Sequence, residues 1–420
     1  MHIYFCGIGG AGLAPLAELS LDCGFKVSGS DRENGLSISE LQQRGIDVSF
    51  DQTGSNLQQI HNRNNIDLFV HSSAIKPDHA EFVKAVELGI KTTKRDGLLN
   101  RIVKEKNLKL LAIAGTHGKT TTTAMVVWLF QQLNIPISYS IGSNISFGPA
   151  AKYEKGSEFF AYECDEFDRN FLHFNPYSAI ITSLDYDHPD TYLTENDYFQ
   201  AFAEFTKQCK KSSYIYSKDG GKLSESGSNL SFVDENIPNQ MKLPGVHNRQ
   251  NAWLAITLIA SALNKNSIDL IPLINTFPGT QRRLELLAKN VYSDYAHHPS
   301  EIRATLQSLK EIAQHGQKIV AVYQPHQNVR QHLIQHEYGN CFVDADKVFW
   351  LPTYLSREDE TLEILTPTQL LSNLIHSNKH EANMDVNLEH SIEQELKNGS
   401  IIVFMGAGSV DGWAREIWGK

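Results

Sequence analysis

The chain has 420 residues, too many for one hydrophobic core at ~150 residues per domain, so two or three domains are expected. With 41% hydrophobic and 20% charged residues it can fill several cores, which excludes a disordered chain. The 38 Lys and Arg against 48 Asp and Glu give a formal charge of −10, and no basic block stands out to track a phosphate backbone, so no nucleic acid is expected as partner.

From the N-terminus, strand-like Ile3 to Cys6, helix-like Gly10 to Cys23, strand-like Lys26 to Gly29, helix-like Leu36 to Arg44 and strand-like Asp67 to His71 alternate. That rhythm predicts βαβ units on a parallel sheet. It returns at Leu108 to Ala114, a buried strand feeding a Gly-containing turn and the helix Thr120 to Leu133, with a further strand at Ala179 to Thr182. After Pro278 it returns once more, with strands at Val291 to Asp294, Lys318 to Val322, Lys347 to Trp350 and Ile401 to Phe404. Arg101 to Asn107 reads as a polar linker and Asn275 to Gly279 as a second, while the Ser/Asn/Gly-rich stretch Ser212 to Asn239 reads as hairpins or surface loops.

No apolar run reaches the ~18 to 20 residues that span a bilayer, and no basic leader precedes the first strand, so a cytoplasmic protein with no membrane partner is expected. The cysteines Cys6, Cys23, Cys164, Cys209 and Cys341 are scattered and never form a CxxC pair, so neither a disulfide framework nor a structural zinc site is expected. Cys164 has no positive neighbour to stabilise a thiolate and reads as core.

Gly7-Ile8-Gly9-Gly10-Ala11-Gly12 fits GxGxxG directly after a strand, with Asp31 at the end of the next strand. Glycines there let backbone approach a diphosphate on a helix N-terminus, and the acid suits a ribose hydroxyl. NAD(P) or FAD, a UDP-sugar or another nucleotide, and a plain tight turn all remain open from this motif. Gly115-Thr116-His117-Gly118-Lys119-Thr120 also lies between a buried strand and a helix, where free N–H groups face the loop's occupant. A phosphate chain is the natural occupant, with Lys119 reaching the β- and γ-phosphates and Thr120 a Mg²⁺ ion. Ile113 stands where the general pattern has its first glycine, so the loop is a shortened variant.

Downstream, Glu163, Asp165, Glu166 and Asp168 crowd one segment, and Asp185, Asp187 and Asp190 surround His188 in another. Carboxylates with an imidazole suit Mg²⁺ or Mn²⁺ beside nucleotide phosphates, and both clusters are expected at strand C-terminal ends. As a general base His188 would serve other chemistry; beside the phosphate loop it reads as a metal ligand.

These segments together resemble the Mur ligase family, ATP-dependent enzymes that add amino acids to the peptidoglycan precursor. The resemblance rests on Ala114-Gly115-Thr116-His117-Gly118-Lys119-Thr120-Thr121-Thr122-Thr123, Glu163-Cys164-Asp165-Glu166 with Asp187-His188, Gly245-Val246-His247-Asn248-Arg249-Gln250-Asn251, Arg282-Arg283-Leu284-Glu285, Asp294-Tyr295-Ala296-His297-His298-Pro299, Gln324-Pro325-His326 and Gly406-Ala407-Gly408. They occur in family order over nearly the whole chain. The opening glycine-rich turn, Ser28-Gly29-Ser30-Asp31 and His71-Ser72-Ser73-Ala74-Ile75 are most similar to the branch that joins L-alanine to the carboxylate of UDP-N-acetylmuramate. A tripeptide-recycling ligase is the nearest alternative. An NAD(P)-dependent dehydrogenase is the rival from another class.

The resemblance implies an α/β protein of three tandem domains in peptidoglycan precursor synthesis. These are an N-terminal Rossmann-like UDP-sugar domain over 1–106, a central P-loop ATPase-like domain with a parallel sheet over 107–278, and a C-terminal Rossmann-like amino-acid domain over 279–420. It gives Gly115, Thr116, His117, Gly118, Lys119, Thr120, Thr121, Asn248, Asn251, Arg283 and Asp294 to ATP. It gives Thr120, Glu163 and His188 to the metal, with Lys119, His188 and Arg283 as the catalytic set. Gly9, Ala11, Gly12, Asp31 and Ser73 would hold the UDP-sugar, and Tyr295, His297, His326 and Arg330 would border the amino-acid end. A monomer or homodimer is implied, and closure of the domains around the ligands.

Three positions depart from the family pattern: Gln327 stands where an Arg usually follows Pro-His, Ser183 replaces a common Asn, and no lysine follows His188 before Lys207. The mechanism implied is acyl activation. ATP phosphorylates the muramoyl carboxylate, and the amine of L-alanine attacks the acyl phosphate, with Lys119, Arg283 and Mg²⁺ neutralising the anions. Lys119 is expected to be an exposed loop lysine whose removal leaves the fold intact.

Overall fold

A computed structural model describes residues 1–10, 12–72, 74–188, 191–223, 229–356 and 358–419. Ala11 and Ser73, both expected at the UDP-sugar, and Asp190 of the acidic segment lie outside the described residues. The chain forms two compact units: one of Met1–Asn236 with Ala252–Phe277, the other of Ile237–Asn251 with Pro278–Lys420.

The first unit holds two sheets. Strands β1 (His2–Cys6), β2 (Lys26–Ser30), β3 (Asp47–Ser49), β4 (Leu68–His71) and β5 (Lys91–Lys94) pair in the order β3-β2-β1-β4-β5, parallel throughout. Chain order reverses at β1, and such a switch point is where open α/β sheets leave a crevice beyond their strand ends. Cys6 pairs with Ser30, so the glycine-rich turn leaves β1 level with Asp31 leaving β2.

The second sheet takes β6 (Lys109–Ala114), β7 (Ile137–Ser140), β8 (Ala151–Lys152), β9 (Phe159–Glu163), β10 (Ser178–Ile181), β11 (Ser213–Tyr216) and β12 (Leu230–Val233), in the order β12-β11-β10-β6-β9-β7-β8. Only β8 runs antiparallel to its neighbour. Central β6 is apolar on both faces because helices cover both, and its last five residues are buried. Ile113 pairs with Glu163 and Ala114 with Ile181, so the loop after β6 emerges between the ends of β9 and β10. One continuous core joins the two sheets, running from Ile3 and Phe5 through Leu98, Leu99 and Ile102 to Ala112, Phe160 and Phe202.

Two readings of this unit are corrected. Arg101 to Asn107 is not a linker: the helix Arg95–Glu105 runs through it and buries Ile102 and Val103, so its polar residues are the exposed face of an amphipathic helix. Ser212 to Asn239 is not simply hairpins or surface loops, since β11 and β12 pair in parallel with Ser213 opposite Leu230. The fully buried strand Ser213–Tyr216 needs a neighbour for its backbone groups, and the polar return between the strands masked that.

The second unit carries β13 (Glu285–Ala288), β14 (Val291–Asp294), β15 (Ile319–Tyr323), β16 (Lys347–Trp350), β17 (Lys379–Glu381) and β18 (Ile401–Met405), ordered β13-β14-β18-β15-β16-β17 with only the β13–β14 pair antiparallel. Separate apolar clusters cover its two faces, one around Tyr323 and Trp350, the other around Phe404 and Ile392. Three sheets of α/β type thus match the expected architecture. All five cysteines are free and buried, and burial pushes the Cys164 thiol well up, as a core cysteine requires. No helix among the described residues is long and apolar enough to cross a membrane.

Candidate active site

The phosphate loop turns on two glycines with positive φ, Gly115 at 123° and Gly118 at 82°, values that a side chain would strain. Gly115 also has no room for a Cβ, which would lie 2.3 Å from the Thr182 hydroxyl. In the helix Lys119–Gln132 four threonines follow Lys119, poor helix formers, and the hydroxyls of three of them, Thr120, Thr122 and Thr123, are used. Thr122 donates to Gly118 O at 2.8 Å and Thr123 to Lys119 O at 2.9 Å. The flanking strand β10 fixes the loop from the side. Thr116 N–H donates to Ser183 O at 3.1 Å, His117 N–H to Ser183 Oγ at 3.0 Å, and Thr116 Oγ1 to Asp185 O at 2.8 Å. The departure at Ser183 therefore supplies a short acceptor to the loop backbone.

Lys119 is not the exposed lysine expected. Its side chain is 13% accessible and Nζ bridges both oxygens of Glu166, at 2.7 and 3.0 Å, while also donating to Gly115 O at 2.7 Å. Burial alone would lower its pKa, but Glu166 and Asp165 outweigh that and lift it to about 12. Glu166 is 1% accessible, and burial raises its carboxyl against the pull of Lys119. The ammonium is thus permanently charged and fixed at the mouth of a helix N-terminus. Thr121 sits in the same first turn, nearly buried.

Thr120 Oγ1 donates to Glu163, 2.9 and 3.0 Å from its two oxygens, and Glu163 also accepts from Gly142 N–H at 3.0 Å. His188, held at φ 57°, turns its Nε2 to within 3.7 Å of Glu166 Oε1. Asp165, Glu166 and His188 offer ligand atoms within 4.8 Å of one another. Two oxygen-rich corners, Thr120 with Glu163 and His188 with Asp165 and Glu166, therefore border the loop, and hard oxygen donors fit Mg²⁺ or Mn²⁺. The sequence put all four acids of this segment in one cluster suited to a metal, and the family resemblance gave the metal to Thr120, Glu163 and His188 without singling out Asp165 or Glu166. Four adjacent acids carry no mark of which one faces inward.

At the first sheet, Gly7 N–H and Ile8 N–H both donate to Ser30 O, at 2.8 and 2.9 Å. Asp31 Oδ2 accepts from Gly9 N–H at 2.8 Å and Oδ1 from Arg32 N–H at 2.8 Å, so this carboxylate braces the turn. A Cβ on Gly9 would lie 2.7 Å from Ile38 Cδ1 and 3.1 Å from Asp31 Oδ2, so a side chain there would push on both. A cleft of about 230 Å³ runs from Gly12 and Pro15 at this turn to Gly142 and Glu163 beside Thr120, with Arg95 and Tyr162 in its wall. Arg95 was missed from sequence, since it follows the exposed, polar strand Lys91–Lys94 and belongs to no motif.

The remaining expected residues lie on the second unit, as a group of their own. Asp294 ends β14 and accepts from Leu284 N–H at 2.6 Å and Ala296 N–H at 2.8 Å, holding the turn that carries Arg282 and Arg283 over the Tyr295 ring at 4.6 and 5.0 Å. His297 Nδ1 lies 3.0 Å from Tyr295 O, and burial depresses its pKa to about 4 despite Glu301. A carbonyl only accepts, so Nδ1 carries the proton and Nε2 presents a lone pair. The His297 and His326 rings are 6.1 Å apart, and His326 stacks on Tyr354. Arg330 Nη1 is buried with no hydrogen-bond partner, a donor that only a ligand or water would satisfy. Gln327 sits at φ 62° beside it, a strained cap for the helix Asn328–Ile334. Asn248 donates to Pro244 O at 2.9 Å and Asn251 is buried.

A Lys-Thr phosphate loop flanked by strand-end carboxylates, after a glycine-turn sheet and before a further α/β sheet, defines an ATP-using ligase of the Mur type. Three family signatures match in that order: the Mur ligase family catalytic domain over residues 2–107, the Mur ligase middle domain over 113–223, and the Mur ligase glutamate ligase domain over 282–408. The chain belongs to the Mur ligase family. It is 31% identical to a UDP-N-acetylmuramate–L-alanine ligase of Acetivibrio thermocellus, over 97% of this chain and 94% of that one, and 30% identical to its namesake in Clostridium botulinum strain Hall, over 97% and 95%. Its fold is similar to the crystal structure of UDP-N-acetylmuramate-alanine ligase from Thermotoga maritima, with TM-score 0.76 at 24% identity over 99% of this chain and 98% of that one. It is less similar to a murein peptide ligase of Psychrobacter arcticus, with TM-score 0.63 at 22% identity over 99% and 98%.

Proposed function

We propose that the chain is an ATP-dependent ligase that joins L-alanine to the carboxylate of UDP-N-acetylmuramate through an acyl phosphate, in the cytoplasm. The observation that carries this reading is the cleft joining Gly12 of the glycine-rich turn to Glu163, which is itself bonded to Thr120 of the phosphate loop. A dehydrogenase has no use for a charged lysine and strand-end carboxylates one cleft away from its dinucleotide turn. An acid-activating ligase needs all of them.

In this reading the UDP diphosphate lies on the Gly9 to Gly12 turn and ATP on Gly115 to Thr121. Lys119 would turn from Glu166 to the γ-phosphate, and Thr120, Glu163 and His188, with Asp165 and Glu166, would hold Mg²⁺. When bound, that ion neutralises phosphate charge. A muramoyl carboxylate oxygen forms a bond to the γ-phosphorus as the bond to ADP breaks. The alanine nitrogen then bonds to the acyl carbon, phosphate leaves, and the amine loses a proton. Tyr295, His297, His326 and Arg330 serve the amino acid, with Arg330 suited to its carboxylate and His297 Nε2 to its amine. Arg283, Asp294, Asn248 and Asn251 serve ATP. We assign three domains, 1–106, 107–278 and 279–420, to UDP-sugar, ATP and amino acid.

Phosphate release with ATP, Mg²⁺ and UDP-N-acetylmuramate tests the reading. It is expected to require L-alanine and not to be met by tripeptide. Release with tripeptide alone would move the chain to the recycling branch. In a thermal shift, UDP-N-acetylmuramate is expected to stabilise the protein and NADH at equal concentration to leave it unchanged. The reverse pattern would overturn the assignment.

A further inference from the structure

Arg95 opens the helix Arg95–Glu105 and lays its side chain along the glycine-rich turn, where a Cβ built on Gly12 would meet Nη1 at 3.6 Å and Cδ at 3.7 Å. Its Nε lies 3.4 Å from Asp96 Oδ1, and that buried carboxylate accepts from the Tyr162 hydroxyl at 2.7 Å. The inner edge of the guanidinium is therefore tied to the protein. Among the described residues, none accepts a hydrogen bond from Nη1 or Nη2. Among the described residues Arg95 is also the one cation in the cleft wall, which otherwise carries the carboxylates of Glu163 and Asp165. Tyr162, Asp96 and Asp165 around it raise its already high pKa, so the charge is permanent.

An anion entering a cleft lined by two carboxylates meets repulsion that is costly across a few ångströms of protein, and a guanidinium fixed in the wall offsets it beside any ion those carboxylates hold. Lys119 donates to Glu166 and Gly115 O and in the ligase reading serves the γ-phosphate, and Lys94 is paired with Asp168. In the ligase reading the diphosphate lies at the glycine-rich turn. We propose that Arg95 binds the carboxylate of the acid substrate, its free Nη1 and Nη2 edge gripping the group between the glycine-rich turn and Glu163. A guanidinium fork suits this task since it presents two parallel donors to a planar carboxylate and does not titrate. Its role is to hold one carboxylate oxygen toward the γ-phosphorus; no proton or electron passes through it.

The proposal rests on the ligase reading, and its test separates the two. UDP-N-acetylglucosamine has the nucleotide and the sugar of UDP-N-acetylmuramate but lacks the carboxylate. Binding of both to wild type, Arg95→Gln and Arg95→Lys is measured by calorimetry without ATP, alongside ATP affinity and thermal unfolding of each variant. Wild type is expected to prefer the muramate. Arg95→Gln loses at least about tenfold of that affinity, the value of a charge-assisted hydrogen bond, and keeps its affinity for UDP-N-acetylglucosamine and ATP. Arg95→Lys, which keeps the charge but not the fork, falls between. Muramate affinity within twofold of wild type in Arg95→Gln, or equal loss for both sugars, overturns the proposal. A wild-type protein that binds neither sugar sinks the ligase reading, and the proposal with it.

Discussion

Lys119 at the phosphate loop and His297 on the second unit are covered to a similar degree, with 13% and 18% of their side chains accessible, yet they carry opposite charge states. Burial works against the charged form of both. At Lys119 two carboxylates, Glu166 and Asp165, more than repay the desolvation, and the ammonium survives to about pH 12. At His297 one carboxylate, Glu301, faces the opposing charges of Arg330 and Arg283, and the imidazole stays neutral down to about pH 4. The difference suits the two chemistries: a phosphate needs a fixed cation, whereas an incoming amine needs a lone pair.

The largest effect expected is from Lys119→Ala. In the proposed reading this removes the charge that would face the γ-phosphate, and kcat should fall by ~10² or more. It also strands Glu166, a buried carboxylate without its partner, so stability falls by about 3 kcal/mol. Adding Glu166→Gln should restore stability but not rate, measured by chemical unfolding and phosphate release. A single variant as stable as wild type would break the comparison, by showing that the pair is not a desolvated one.

Next come Glu163→Gln and His188→Ala. In the proposed reading each would remove a metal ligand or a group that positions one, and the Mg²⁺ concentration for half-maximal rate should rise ~10-fold or more. Unchanged metal titrations in both would mean that the acids near Lys119 serve only to keep it charged.

The smallest effect is on acid stability. His297 is depressed in the folded state, so its contribution is fully present above the unfolded value of 6.5 and is lost as pH falls toward about 4, where the unfolded chain binds the extra proton. At pH 5 this amounts to ~2 kcal/mol. Unfolding of wild type and His297→Gln between pH 7.5 and 4.5 should show a shallower loss in the variant. Parallel curves would place the burden elsewhere, with His247, also depressed to about 4 by burial, the first to examine.

What could be read early was whatever is encoded by neighbours in sequence. The strand before Gly115 and the helix after Gly118 were legible around the Lys119-Thr120 pair, and the alternation of apolar runs announced parallel sheets. What escaped was whatever depends on direction. Glu166 stands next to Asp165, and nothing local says that one of them is sealed under Lys119. Ser183 looked like a departure from a family pattern, and its hydroxyl proves to accept from the loop at His117. Arg101 to Asn107 looked like a linker because polar residues outnumber the buried pair Ile102 and Val103, which were the residues that mattered.

The sequence by itself determined the order of elements and the chemistry each turn can offer, since glycines, a lysine, threonines and acids at strand ends have their properties wherever they stand. Tertiary structure alone decided which charges persist and which groups meet. Pairing of Ile113 with Glu163 and of Ala114 with Ile181 brings Glu163, Ser183 and the phosphate loop together from segments far apart in the chain. The packing of the helix Arg95–Glu105 on the shared core sets Arg95 against Gly12. Charge state and encounter depend on the distance and desolvation of groups from other segments, and a linear sequence carries neither.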